Sequence, residues 1–220
     1  MRRLSFCAAL LGFIWTPLMA DDPSAKWEPE IKKFEEQDES SPPPQAGVLF
    51  VGSSSISLWD LEQSFPENKY INRGFGGSQI ADSIAYLDQL VLKHKPKVVL
   101  MYAGDNDIAA GKSAEQVAND FMTFQMRINA QLPATKIMYI AIKPSIKRWD
   151  MYPKMSDANQ RIADYCKTDP RLTYLDIATP MLGVDGTPKP GLFAKDGLHL
   201  NDEGYKVWTS VVAPHLSDCR

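Results

Sequence analysis

Along the chain of 220 residues, short apolar runs alternate with longer stretches in which apolar residues recur every three or four positions. The strand segments are Val48 to Val51, a short KYINRG over 69–74, KVVLMYAG over 97–104, which is continuous in apolar residues, KIMYIAIKP over 136–144 and RLTYLDI over 171–177. Their lengths suit strands, and a near-continuous apolar character is what a strand covered on both faces needs. Helical spacing links Trp27, Ile31 and Phe34 within residues 26–38, then Ile56, Leu58, Trp59 and Leu61 in a short segment, then Ile80, Ile84, Leu87 and Val91 after a capping Ser78. Ser113 and Gln116 form a capping-box pattern before Val117, Phe121, Phe124, Ile128 and Leu132. Further helices are predicted from about Lys154 to Cys166 and from about Asn201 towards His215. Five strands alternating with helices predict an α/β domain, a five-stranded parallel sheet covered on both faces, with ligands beyond the carboxyl ends of its strands.

The ends of the chain divide it further. Residues 1–20, MRRLSFCAALLGFIWTPLMA, carry two arginines, an apolar stretch from Leu4 to Ile14 and small Ala20, the layout of a secretory signal peptide. Ser5, Gly12, Thr16 and Pro17 leave too short a clean run for a membrane anchor, so export to a periplasmic or extracellular location is expected, with no stable membrane insertion after cleavage. Residues 21–46 read as an N-terminal helix and a stiff Pro-rich linker, SSPPPQ, and residues 47–220 as one domain. The formal net charge of -3 becomes -5 without Arg2 and Arg3, which argues against nucleic acid as a partner. Once residues 1–20 are removed, Cys166 and Cys219 are left, a pair permissive for one disulfide or for two free thiols.

Four stretches carry candidate chemistry. VLFVGSSSIS is an apolar run that breaks at Gly52 and delivers Ser53, Ser54 and Ser55 into a turn, the way a sheet presents a hydroxyl at its rim. KDGLHLN places Asp196 three residues before His199, a spacing that lets a carboxylate orient one ring nitrogen while the other faces a nucleophile. Of the other histidines, His94 in KHKPK reads as a solvated helix end, and His215 follows Pro214 near the terminus. AGDNDI offers the Asn106 side-chain amide, and GFGG offers the Gly77 N–H; with the Ser54 N–H these supply three donors for an oxyanion. GFGGSQ lacks the third glycine of a dinucleotide fingerprint, and DND has Ala109 at the fifth position of a calcium loop. No histidine pair has zinc-ligand spacing, so neither cofactor nor metal is expected.

In this order and spacing the four blocks resemble the SGNH hydrolases, the superfamily of the GDSL lipases and esterases. The resemblance runs from about Gly47 to His215 and matches Ser54 in VGSSSI, Gly77 in NRGFGG, Asn106 in AGDND and His199 in DGLHLN. It implies a flavodoxin-like three-layer α/β/α sandwich and a serine esterase in which Ser54 attacks, His199 activates it, Asp196 orients the ring, and Gly77 and Asn106 help hold the tetrahedral intermediate. One departure is Ser53, where the family usually has Asp, which leaves Ser53 and Ser55 as rival nucleophiles. The larger α/β-hydrolases fit less well, since GSSSI lacks their second glycine. Trp149, Tyr152 and Phe193 are candidate pocket-lining residues. The absence of a long apolar lid segment favours a soluble short-chain ester, acetylated carbohydrate included; lysophospholipid or thioester hydrolysis, acyl transfer through the same triad, and a non-catalytic binding module are the alternatives.

Overall fold

The computed structural model describes residues 24–216, so residues 1–20, expected to be a signal peptide, and Cys219 lie outside the described residues. Five strands, β1 (Val48–Gly52), β2 (Ile71–Gly74), β3 (Val98–Tyr102), β4 (Lys136–Ile140) and β5 (Leu172–Leu175), form one parallel sheet in the order β2-β1-β3-β4-β5. This is the flavodoxin-like order, in which the winding reverses between β1 and β3 and opens a crevice there. The period of two along each strand explains why its residues are apolar on both faces. Leu49 and Val51 of β1 and Val99 and Met101 of β3 enter one core, while Val48, Phe50, Val98, Leu100 and Tyr102 enter the other.

On the first face lie α1 (Glu28–Ser40), α4 (Ile80–Ala85), α5 (Leu87–Leu90), α7 (Ala114–Gln131) and α8 (Tyr152–Cys166). The second face is covered by α2 (Ser54–Ser57), α3 (Leu61–Ser64) and α9 (Asp202–Leu216), and a five-residue α6 (Asp105–Ala109) follows β3. The chain is thus a three-layer α/β/α sandwich. The capping box at Ser113 and Gln116 forms, with Ser113 Oγ accepting from the Gln116 N–H at 3.1 Å and Gln116 Oε1 from the Ser113 N–H at 2.8 Å. The single helix expected over Ile80 to Val91 instead breaks at Tyr86, where Arg127 Nη1 donates to the Ile84 carbonyl at 3.1 Å. Cys166 is a buried free thiol, pushed up to about 12 by burial.

The N-terminal helix is anchored by charge as well as by apolar contact. Ile31 is buried, Trp27 and Phe34 pack against the first core, and Asp38 at the far end of α1 pairs with Arg73 of β2 and with Lys93 at 2.6 Å. This changes the reading of His94, which is no solvated helix end: it is 2% exposed, with Nε2 3.6 Å from Asp38. Burial first, then the charges of Arg73 and Lys93 against the opposing pull of Asp38, lower its pKa to about 4. A histidine lowered in this way takes up a proton more readily unfolded than folded, so stability falls as pH drops from about 6.5 towards the folded value, by on the order of 1 kcal/mol per pH unit. Urea unfolding of wild type and His94→Gln at pH 6.5 and 5 should give a steeper loss for wild type; equal losses would remove His94 from the acid response.

Candidate active site

The site begins with a backbone constraint. Gly52 ends β1 at φ +138°, and a side chain there would place its Cβ 1.8 Å from the Tyr102 carbonyl oxygen of neighbouring β3, so only glycine fits. That same carbonyl accepts the Ser53 N–H at 2.9 Å, and the chain then turns into α2. The Ile56 carbonyl accepts from Asn72 Nδ2 at 2.8 Å, and the Ser55 carbonyl from the Tyr205 hydroxyl at 3.0 Å. Asn72 Oδ1 in turn accepts the Gly74 N–H at 2.9 Å, which ties the serine turn to the end of β2. Within the turn Ser53 is fully buried and Ser55 is 1% exposed, so Ser54 alone of the three is open to solvent.

The loop before α9 meets Ser54 from the other side. His199 Nε2 lies 3.2 Å from Ser54 Oγ, and His199 Nδ1 lies 2.6 Å from Asp196 Oδ2. With the proton on Nδ1 donated to Asp196, Nε2 is left to accept from the serine hydroxyl. Asp196 Oδ1 accepts the Leu198 and His199 N–H groups at 2.9 and 3.0 Å. The Leu198 N–H, the His199 ring and the His199 N–H hold this carboxyl well below the usual carboxylate range, although it is solvent-accessible. Three hydrogen bonds therefore keep it charged where burial does not.

The candidate oxyanion donors come from the turns after β2 and β3. The Gly52 carbonyl accepts the Phe75 N–H at 2.9 Å and the Ser78 hydroxyl at 3.2 Å, which pins the turn carrying Gly77, at φ +81°, to the end of β1. Asn106 Nδ2 donates to the Ser78 carbonyl at 3.0 Å, joining the turn after β3 to the same point. Among the described residues neither the Ser54 nor the Gly77 N–H has an acceptor. The Trp27 ring lies against Gly77, its Cη2 3.4 Å from where a Cβ would stand, and makes an edge contact with Phe75. The N-terminal segment thus supplies a wall beside one of these amides.

The expected pocket residues fare differently. Phe193 is 6% exposed, packs in the second core and bridges Leu200, so it is a core residue and not a pocket wall. Trp149 and Tyr152 stack on each other at 4.9 Å, and Tyr152 rests on the first core. A groove of about 810 Å³ instead opens beside His199, lined by residues that include Leu58, Asp60, Ala194, Tyr205 and Lys206. A buried charge cluster was also not foreseen. Lys143, 1% exposed, lies 3.1 Å from Asp105, which is also 3.2 Å from Arg148, and Arg148 Nη1 donates to Asn106 Oδ1 at 3.0 Å. Burial alone would raise the Asp105 pKa, but Lys143, Arg148 and the Asn106 N–H outweigh it and keep it lowered. Lys143 follows an apolar strand and Arg148 sits in a polar loop, and neither spacing points to partners about forty residues away.

The sequence model of the GDSL-like Lipase/Acylhydrolase family matches residues 58–207, a span that takes in Gly77, Asn106, Asp196 and His199 and begins just after Ser54. The chain belongs to that family. It is therefore an ester-hydrolysing serine hydrolase of the SGNH superfamily. Among its relatives is the platelet-activating factor acetylhydrolase IB subunit alpha2 of Gallus gallus, 26% identical over 182 residues, which cover 78% of this chain and 76% of that protein. The fold matches a GDSL-like lipase from Bacteroides thetaiotaomicron at a TM-score of 0.76 and 20% identity, over 86% of this chain and 98% of the other. It also matches a catalytic mutant of an acetylxylan esterase from Geobacillus stearothermophilus at a TM-score of 0.64 and 14% identity, over 80% and 95%.

In this hydrolase the serine turn leans on Asn72. Replacing Asn72 by Ala leaves the Ile56 carbonyl and the Gly74 N–H without their side-chain partner, which should cost about 2 kcal/mol. A lowered urea midpoint checks this; an unchanged midpoint would mean that the turn stands without it.

Proposed function

We propose that this family member is an exported esterase for short acyl esters, acetyl esters of carbohydrates foremost, working through Ser54, His199 and Asp196 by way of an acyl-enzyme. The observation that carries the reading is the continuous line from Asp196 Oδ2 to His199 Nδ1 at 2.6 Å and from His199 Nε2 to Ser54 Oγ at 3.2 Å. Ser54 Oγ attacks the ester carbonyl as its proton passes to His199 Nε2, and the charged Asp196 stabilises the imidazolium that results. The carbonyl oxygen, now negative, is received by the Ser54 and Gly77 N–H groups and the second N–H of Asn106. Collapse breaks the bond to the alcohol oxygen, which takes the proton from His199 and departs. Water, deprotonated by the same histidine, then releases the acid and restores Ser54.

The choice of nucleophile rests on accessibility, since Ser53 and Ser55 are buried and it is Ser54 that meets His199. The substrate class is supported from two directions. Two of the similar proteins are named for acetyl chemistry, an acetylhydrolase and an acetylxylan esterase, and another is named a GDSL-like lipase. The leaving alcohol must lie on the His199 side, where the groove of about 810 Å³ is lined by apolar Leu58 and Trp59 together with polar Asp60 and Gln63. Export is supported by the charge and hydropathy pattern of residues 1–20.

Purified enzyme should hydrolyse p-nitrophenyl acetate, and Ser54→Ala should lower kcat/KM by about 10⁴-fold or more with an unchanged circular dichroism spectrum. Residual turnover near the wild-type rate would rule Ser54 out. Across a panel, acetylated xylooligosaccharides should give higher kcat/KM than octanoyl esters; the reverse order would replace the substrate assignment and leave the mechanism standing.

A further inference from the structure

The two partners of the Asn106 amide raise a question of orientation. A carboxamide has nearly the same shape when turned over, and its terminal torsion has no strong preference of its own. In one orientation an N–H faces a developing oxyanion; in the other a carbonyl oxygen does, and repels it. The surroundings must therefore fix the amide, and the Ser78 carbonyl, which accepts from Nδ2 at 3.0 Å, supplies half of that. The other half is the guanidinium of Arg148, whose Nη1 donates to Oδ1 at 3.0 Å. Turned over, the amide would set two acceptors against each other at Ser78 and two donors against each other at Arg148.

We propose that Arg148 is a positioning residue of the esterase, holding Asn106 so that its free N–H is presented to the oxyanion. The inference rests on the reading of Asn106 as an oxyanion donor. Arg148 suits the task because it is itself held: Asp105 Oδ2 lies 3.2 Å from its Nη1, and the same oxygen of Asp105, a residue 4% exposed, lies 3.1 Å from Lys143 Nζ. Lys143 Nζ also donates to the Tyr102 hydroxyl at 3.1 Å, so the chain of contacts ends on the strand whose carbonyl seats Ser53. Two cations around one buried carboxylate leave a surplus positive charge next to Asn106. That charge polarises the amide through Oδ1 and favours the anion that Nδ2 would meet.

The same loop reaches the other half of the site. Lys147 N–H donates to the Gly197 carbonyl at 3.0 Å, and the Ile146 Cβ lies 3.3 Å from where a Gly197 side chain would begin, inside the turn between Asp196 and His199. Residues 146–148 therefore join the oxyanion side to the histidine side by one side chain and one backbone bond. The Arg148 side chain is 18% exposed, enough for its partners to fix it without full desolvation.

A double-mutant cycle with p-nitrophenyl acetate tests this, using Asn106→Ala, Arg148→Met and the double variant, with kcat and KM measured separately and folding followed by urea midpoint. Asn106→Ala should lower kcat by about 10²-fold. Arg148→Met should lower kcat about tenfold or more with KM within about threefold, and in the Asn106→Ala background it should lower kcat by no more than about twofold, because there is no amide left to orient. If Arg148→Met does not fold, Arg148→Gln runs the same cycle, since it loses the charge and the reach of the Nη1 atom that meets both Asp105 and Asn106. An equal loss from the Arg148 variant in both backgrounds, or none in either, would overturn the positioning role while the oxyanion reading stands. Asn106→Ala at the wild-type rate would overturn the oxyanion reading and this inference with it.

Discussion

The close approach of the Gly52 backbone to the Tyr102 carbonyl is the constraint on which the site depends. β1 and β3 are neighbours in the sheet although β2 comes between them in sequence, and the winding reverses at that point. With no Cβ at Gly52, the Tyr102 carbonyl can take the Ser53 N–H and the Gly52 carbonyl can take Phe75 and Ser78. The Ser78 carbonyl then takes Asn106. Groups from the ends of three strands are thereby tied to one point by hydrogen bonds that a single side chain would displace.

Asp196 and Asp105 are kept ionised in opposite ways. Asp196 is solvent-accessible and held down by backbone N–H groups and its histidine, so it can orient the ring without the desolvation cost of a buried charge. Asp105 is buried and stays charged through two cations. Removing one partner from such a cluster would leave an uncompensated charge in the interior, which is why its members must be read together.

Much of this was legible in the sequence where the signal is local. Strands buried on both faces show as continuous apolar runs, as β1 and β3 do, and an aspartate three residues from a histidine is a short-range pattern that a turn can realise. The choice of Ser54 over Ser53 and Ser55 came from the resemblance, whose G-x-S position it takes, because which hydroxyl the turn buries is not written in the local pattern. Lys143 and His94 were misread or passed over for a related reason: each is a polar residue made internal by partners distant in the chain, Asp105 for one and Asp38 and Arg73 for the other. Phe193 lay close to His199 in sequence, yet its side chain turns into the core, since an antiparallel bridge to Leu200 folds the loop back on itself.

The most direct measurement is a crystal structure of the protein after reaction with a small alkyl fluorophosphonate, which leaves a tetrahedral phosphoryl group on the attacking oxygen. The account requires that group on Ser54 Oγ, with its phosphoryl oxygen within hydrogen-bond distance of the Ser54 and Gly77 N–H groups and of Asn106 Nδ2. An adduct on Ser53 or Ser55, or a phosphoryl oxygen turned to solvent away from all three donors, would contradict it.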